Sequence, residues 1–441
     1  MGEWQAARAG RRIANMAAFS HAPSPELDRE RPVLVVRVGR APLLNHGAVG
    51  AIRSLGRLGV PVYALTEDRS APTGASRYLT RRFVWPVTGA EPPQHLVAQL
   101  RGICAGLDRR VVALPTSDEA AVLLAEHRAE LGDLLIQPEV APQLPRRLID
   151  KYAMFELCSE LGLPTPRSCV AASGAELAEA VDRLGLPVVV KNADLSGRLD
   201  NPIAATTTKL STAADVAAMA AALDRGGSKR LLVQEFVPED AWSGRPADWF
   251  AHVYCARDGG IPLVFTGRKL HSWPPGGGVT ARGVAVANPR LHELVREVCR
   301  AVGYRGIGDM DWRFDARDDT YKLVDFNPRL GAQAQLFRTT AGVDLVRAMH
   351  LDLTGRPIPP GDQINGRVLY VEHLDAAATF AQWRHGGLGR APRLGAPVTG
   401  RETAWFAWDD PVPFAVVSAR FGRNIAVRTL RRFLGRVRPG D

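Results

Sequence analysis

The residues of this chain best suited to chemistry lie in two short segments near position 310. Gly308-Asp309-Met310-Asp311-Trp312-Arg313-Phe314-Asp315 and Tyr321-Lys322-Leu323-Val324-Asp325-Phe326-Asn327-Pro328-Arg329 both alternate polar and apolar residues. Period two is the period of a strand, so neighbouring antiparallel strands are expected, with residues 315–320 as the reversal. Asp311 then shares a face with Asp309 and Arg313, and Asp325, Asn327 and Arg329 share a face of the second strand. Hard oxygen ligands that include a carboxamide, set beside arginine, suit Mg²⁺ bridging nucleotide phosphates better than zinc or a redox metal. Taken alone, the pattern equally suits a solvated hairpin with an acidic outer face.

The elements that must position these residues read as α/β. From Pro32 onward the order is strand, helix, strand: residues 33–38 are apolar except for Arg37, residues 47–58 have helical periodicity, and residues 62–65 form a second apolar run. Further strands at 83–85 and 111–114 alternate with helices near 96–105 and 118–130. Such alternation implies a parallel sheet covered on both faces, with ligands near the carboxyl ends of its strands. Thr116-Ser117-Asp118-Glu119 satisfies the capping box T-x-x-E at a helix start. A second unit begins near Arg147. Asp150 caps a helix that Gly162 ends, and residues 186–191 are a buried strand with Lys191 at its end. Residues 192–202 are a polar loop, and Gln234-Glu235-Phe236-Val237 closes another apolar run. A third unit, from Trp249 to about Gly355, holds the hairpin.

At 441 residues, with 46% hydrophobic and 23% charged residues, the chain reads as a soluble globular protein of two to four domains. No apolar run reaches the length of a bilayer span. The net charge of +10 favours anionic ligands, but the arginines are interspersed with acids, which argues against nucleic acid. Five scattered cysteines without C-x-x-C spacing fit a reducing, cytoplasmic setting. Residues 1–31 read as a disordered extension.

Lys151, Lys191, the Glu235 segment and the Asp311/Asp325/Asn327 face stand in an order that resembles the ATP-grasp superfamily, particularly its carboxylate–amine ligases and the D-aspartate ligase-like branch. The resemblance covers roughly residues 33–355. It implies a Rossmann-like leading domain (32–146), a small lobe (147–238) and a large lobe (239–360) that sandwich ATP, and a C-terminal appendage with a basic tail (361–441). It implies Lys151 and Lys191 as phosphate lysines, with Ser196 and Gly197 closing over the phosphates. Gln234, Glu235, Phe236 and Val237 would receive adenine through main-chain groups, so that side-chain identity there matters less, and Asp248 would contact the ribose. Asp311, Asp325 and Asn327 would hold two Mg²⁺ ions, with Mn²⁺ as a substitute. Arg329 would steady the transferred phosphoryl, with Arg268 and Lys269 near the reacting carboxylate. Two aspartates replace the usual glutamates, so Asp309 or Asp315 is the alternative ligand. The implied activity is ADP-forming ligation of a small carboxylic acid to an amine or amino acid through an acyl-phosphate, in a chain compatible with a homodimer. A carboxylase, a phosphotransferase and a nucleotide-binding regulatory module are the alternatives.

Overall fold

The computed structural model describes residues 24–39, 45–193, 203–204, 207–227, 229–238, 247–274, 278–384 and 397–434. The leading unit comprises β1 (Val33–Val36), α1 (His46–Gly56), β2 (Val62–Thr66), β3 (Arg81–Val84), α2 (Pro93–Ala105), β4 (Val111–Pro115), α3 (Asp118–Glu126) and β5 (Leu135–Ile136). Its strands pair in parallel in the order β3-β2-β1-β4-β5. Val33, Val35, Val112 and Leu114 join one core, and Leu34, Val36, Val111 and Ala113 join another. Burial on both faces is why these strands read as continuous apolar runs rather than alternating ones. Strand order reverses between β1 and β4, so the carboxyl ends of that pair flank the crevice where open parallel sheets bind ligands.

The cap of α3 differs from expectation. Ser117, not Thr116, accepts from the Ala120 N–H, while the Thr116 hydroxyl donates to the Val36 carbonyl at 3.2 Å. The first thirty-one residues also divide: residues 1–23 lie outside the described residues, but Leu27 is buried in the core, so residues 24–31 are part of the fold.

Next come α4 (Leu144–Ile149) and α5 (Lys151–Glu160), the latter capped by Asp150 as expected. Then β6 (Ser168–Ala171), α6 (Gly174–Leu184), β7 (Val188–Asn192), β8 (Thr208–Leu210), α7 (Ala213–Arg225) and β9 (Leu231–Glu235) build a four-stranded antiparallel sheet ordered β6-β9-β7-β8. Val188, Val190, Leu231 and Val233 pack with Leu177 and Leu223 of the two longer helices. Period two therefore turns Lys191 to the opposite face.

The remainder forms one seven-stranded sheet. It contains β10 (Asp248–Cys255), β11 (Leu263–Trp273), β12 (Val279–Ala285), β13 (Gly306–Asp315), β14 (Thr320–Asn327), β15 (Arg367–Tyr370) and β16 (Gly400–Thr403), ordered β14-β13-β10-β11-β12-β15-β16. Four helices join it: α8 (Pro289–Ala301), α9 (Leu345–Leu353), α10 (Glu372–Arg384) and α11 (Val412–Leu434). Because β15 and β16 extend the same sheet, the segment after residue 360 does not stand apart as an appendage. One face, with Trp249, Met310 and Trp312, packs on α4, α5 and α8. On the other, Phe250, Tyr254 and Phe265 pack on Phe337, α9 and the leading unit. Among the described residues, no helix is long and apolar enough to cross a membrane.

Asp410 ties the late segment to the leading unit. Its buried carboxylate meets Arg53 Nε at 2.9 Å, Ser76 Oγ at 2.7 Å and the Arg77 N–H at 2.9 Å. Truncating one member of a buried pair strands the other charge, at a cost of about 3–5 kcal/mol. Asp410→Ala is expected to lower unfolding free energy by about that much in urea titration, whereas an unchanged midpoint would contradict this role.

Candidate active site

The site lies where the four-stranded sheet and the leading unit meet the hairpin of β13 and β14. Asp311 stands directly opposite Asp325, and Asp309 opposite Asn327, so the four side chains share a face as expected. One feature of the hairpin is not visible in the sequence pattern. Between Asp311 and Trp312 the register shifts, because Trp312 pairs with Leu323 and Asp311 with Asp325, which leaves Val324 as an extra residue. This bulge sets Lys322 and Asp325, three residues apart, on one face, and it turns the Val324 carbonyl toward Lys191 Nζ at 3.4 Å.

Three lysines converge on the carboxylates from three elements. Lys151, at the first turn of α5, hydrogen-bonds Asp325. Lys269 of β11 pairs with Asp311 at 2.9 Å. Lys191 comes from β7 and is almost fully buried. Burial lowers the Lys191 pKa to about 8, the neighbouring ammonium groups of Lys151 and Lys269 push the same way, and Asp325 and Asp311 oppose them. For Lys269, burial acts downward, but the charge and hydrogen bond of Asp311 together with the charges of Asp248 and Asp309 outweigh it, so that ammonium is held above its ordinary value. Burial, followed by the charges of Asp309 and Asp325, pushes the Asp311 carboxyl up, although Lys269 opposes the shift.

Arg329 links β13 to the first turn of α3. Its Nη1 donates to Asp309 at 2.8 Å and its Nε to Asp118, the first residue of α3, at 3.2 Å. Burial lowers its pKa, and the charges of Asp118 and Asp309 more than reverse that. Asp309 also lies 3.3 Å from His252 Nε2, whose imidazole pKa is lowered by burial against the opposing charge of Asp309. Neither Asp118 nor His252 was singled out from sequence. Asp118 carried the signature of a helix first turn, and its partner is over two hundred positions away.

The other expected site residues divide. Gln234 turns its amide to Ser168 Oγ at 2.9 Å, the Glu235 N–H donates to the Arg167 carbonyl at 2.9 Å, and the Val237 carbonyl accepts from Arg313 Nε at 2.5 Å. Phe236 lies beneath Lys209, whose Nζ is 3.9 Å from the ring centroid. Glu235 corrects the view that its side chain matters less. Its buried carboxylate meets Lys322 Nζ at 3.0 Å, Arg167 Nε at 3.1 Å and Arg317 Nη2 at 3.2 Å, and Lys322 and Arg317 both also bond Asp315 at 2.6 Å. This network joins the end of β9 to the hairpin and commits Asp315 to it rather than to a metal. Asp248 pairs with Arg313 at 2.5 Å. Arg268 is not brought to the carboxylates. One position from Lys269 on β11, it takes the opposite face, opposite Trp249 in register and 6.0 Å from its ring centroid. Ser196 and Gly197 lie outside the described residues.

Among the described residues, no three histidine, cysteine or carboxylate side chains are gathered closely enough to hold a metal ion. The donor set still fits Mg²⁺ in its chemistry, since Asp311, Asp325 and Asn327 offer oxygen ligands, and a cation would offset both the burial of the Asp311 carboxylate and the neighbouring charges of Asp309 and Asp325.

Residues 286–354 match the family model described as carbamoyl-phosphate synthase L chain, ATP binding domain. D-aspartate ligase of Enterococcus faecium (strain Aus0004) is 23% identical over 295 residues, covering 64% of this chain and 68% of that protein. Among solved structures, N5-carboxyaminoimidazole synthetase from Staphylococcus aureus complexed with ADP aligns with TM-score 0.55 at 12% identity, over 76% of this chain and 80% of that one. L-amino acid ligase from Bacillus licheniformis aligns with TM-score 0.54 at 15% identity, over 74% and 75% of the two chains.

Proposed function

From the premise that the chain has the ATP-grasp fold and resembles its carboxylate–amine ligases, we propose that it joins a carboxylic acid to an amine at the expense of ATP, releasing ADP and phosphate. The observation that carries this reading is the meeting of Lys151 and Lys191 with the Asp311/Asp325/Asn327 face. Two cations from outside the sheet and oxygen ligands on it are the parts a triphosphate needs.

In this reading adenine enters between β9 and the large sheet, against Phe236 and the main chain of residues 235–237, and Asp248 lies on the ribose side. Lys151 and Lys191 release their present partners to the phosphates. Mg²⁺, when bound by Asp311, Asp325 and Asn327, neutralises phosphate charge and polarises the bond that breaks. The acid's carboxylate attacks the γ-phosphorus in line, which gives an acyl-phosphate and ADP. Arg329 steadies that anion, and Lys269 stands beside it. The amine then attacks the acyl carbon, the oxyanion collapses as the C–O bond to phosphate breaks, and the amine's proton leaves on the departing phosphate. No side-chain nucleophile is required. ADP release across a panel of acids crossed with amines tests the proposal. ADP release that depends on both an acid and an amine is expected, and release dependent on neither would refute it.

Lys191 makes a pH prediction. Its ammonium form is the one that attracts phosphate, and it is lost as pH rises through about 8 in the free protein. kcat/KM for ATP is therefore expected to fall above about pH 8, while kcat, which reports the nucleotide complex, falls only at higher pH. In Lys191→Arg the limb in kcat/KM is expected to disappear, because guanidinium does not titrate there. A wild-type profile flat to about pH 10 would contradict the assignment.

A further inference from the structure

Helix α11 begins docked and then leaves the body of the protein. Val417 is buried, the Phe421 ring lies 5.1 Å from that of His373, and Arg420 pairs with Asp68 of the leading unit. Beyond Phe421 that cover stops. Each residue from Gly422 to Val427 is exposed, Ile425 by 50% and Val427 by 41%, although the helix runs on to Leu434. The face away from the body is apolar as well. Val412, Ala415, Ala419, Ala426, Leu430 and Phe433 recur at helical spacing, which sets them in one stripe on the far side of the helix from Val417 and Phe421. Val412 is 51% exposed, and Ala415, Ala419 and Ala426 are exposed with it. A surface helix ordinarily carries one apolar stripe, turned to the core. This helix carries a second, turned to solvent.

Charge decides what suits that stripe. From Pro411 to Gly440 the sequence holds seven arginines and no aspartate or glutamate, and six of the seven lie beyond Phe421. Paired with a second copy of itself, the helix would set arginines beside arginines with no acid to offset them, which opposes a coiled coil. Nucleic acid would satisfy the arginines through its phosphates but leaves the apolar stripe in water. An anionic phospholipid surface takes both groups: the stripe enters the boundary between headgroups and acyl chains, and the long arginine side chains reach lipid phosphates.

We propose that the second half of α11 is a membrane-surface helix, by which the protein docks in the plane of an anionic phospholipid bilayer with the Ala426/Leu430/Phe433 stripe as the inserted face. Arginines at this density keep the helix on the bilayer rather than across it. The proposal stands independently of the ligase reading.

The test sediments the full chain with vesicles of phosphatidylcholine alone and of phosphatidylcholine mixed with phosphatidylglycerol. Partition onto the anionic vesicles is expected to exceed that onto the neutral ones by at least about tenfold and to weaken as salt is raised. Leu430→Gln with Phe433→Gln removes the stripe and keeps the charge, whereas Arg431→Gln with Arg432→Gln removes charge and keeps the stripe. Each pair is expected to lower partition by about tenfold or more, at an unchanged melting temperature, because neither touches the docked half of the helix. Arg431→Lys with Arg432→Lys should retain most of the binding. Equal partition onto neutral and anionic vesicles, or partition onto neither, would overturn the proposal. So would anionic binding that survives loss of the stripe, which is adsorption by charge alone. Light scattering that shows a dimer in place of vesicle binding, dissociated by Leu430→Gln with Phe433→Gln, would assign the stripe to a second copy instead, and binding to homopolymer RNA tighter than to vesicles would assign the arginines to nucleic acid.

Discussion

Asp325→Ala is expected to reduce turnover by at least about a thousandfold, equivalent to roughly 4 kcal/mol of transition-state stabilisation, while the protein stays folded. Asp325 faces Asp311 across β13 and β14 and contributes charge to the site rather than volume to the core. Its removal also has a signature distinct from unfolding. Asp325 is the largest influence opposing the depression of the Lys191 pKa, so in the variant the alkaline limb of any residual activity should move below about pH 8. Asp325→Asn, which keeps the shape and removes the charge, should lose nearly as much. Near-wild-type ADP formation by either variant would contradict the role given to this face.

Lys191→Met is expected to separate stability from function. The ammonium is buried, its Nζ donates to the Val324 carbonyl at 3.4 Å, and burial depresses its pKa to about 8. Burying a charge so weakly compensated costs free energy, so an apolar side chain of similar length should leave the melting temperature unchanged or raise it. ATP affinity should fall by tenfold or more, about 1.4 kcal/mol, and kcat should fall with it, because a cation facing the phosphates acts in both ground and transition states. Calorimetry showing unchanged nucleotide affinity would contradict the assignment. A large loss of stability would show that Lys191 is held for structural reasons.

The hairpin was legible because period two, a polar turn and oxygen-ligand types coincide in one stretch of sequence. The bulge at Val324 was not, since a single inserted residue leaves the composition unchanged and shows only in pairing. Strand parity explains the misplaced Arg268: adjacent positions on β11 point to opposite faces, so only one of Arg268 and Lys269 reaches Asp311. Asp118 and Glu235 escaped for different reasons. The first read as a helix-start residue, and the second as a backbone contact, whereas both are charged partners of groups on distant segments. The membership of β15 and β16 in the seven-stranded sheet was not legible because they are four residues each, too short for a period to register. The parallel leading sheet, by contrast, followed from apolar runs alternating with helical patterns, the form that two-sided burial imposes.

The central claim is that the acid's own oxygen attacks phosphorus before the amide forms. It is tested most directly by supplying the acid substrate with oxygen-18 in its carboxylate and following full turnover by mass spectrometry. Attack at the γ-phosphorus leaves the bridging oxygen on phosphate, so labelled inorganic phosphate should appear in step with ADP and amide. Unlabelled phosphate alongside amide, or AMP as the stoichiometric product, would contradict the acyl-phosphate route.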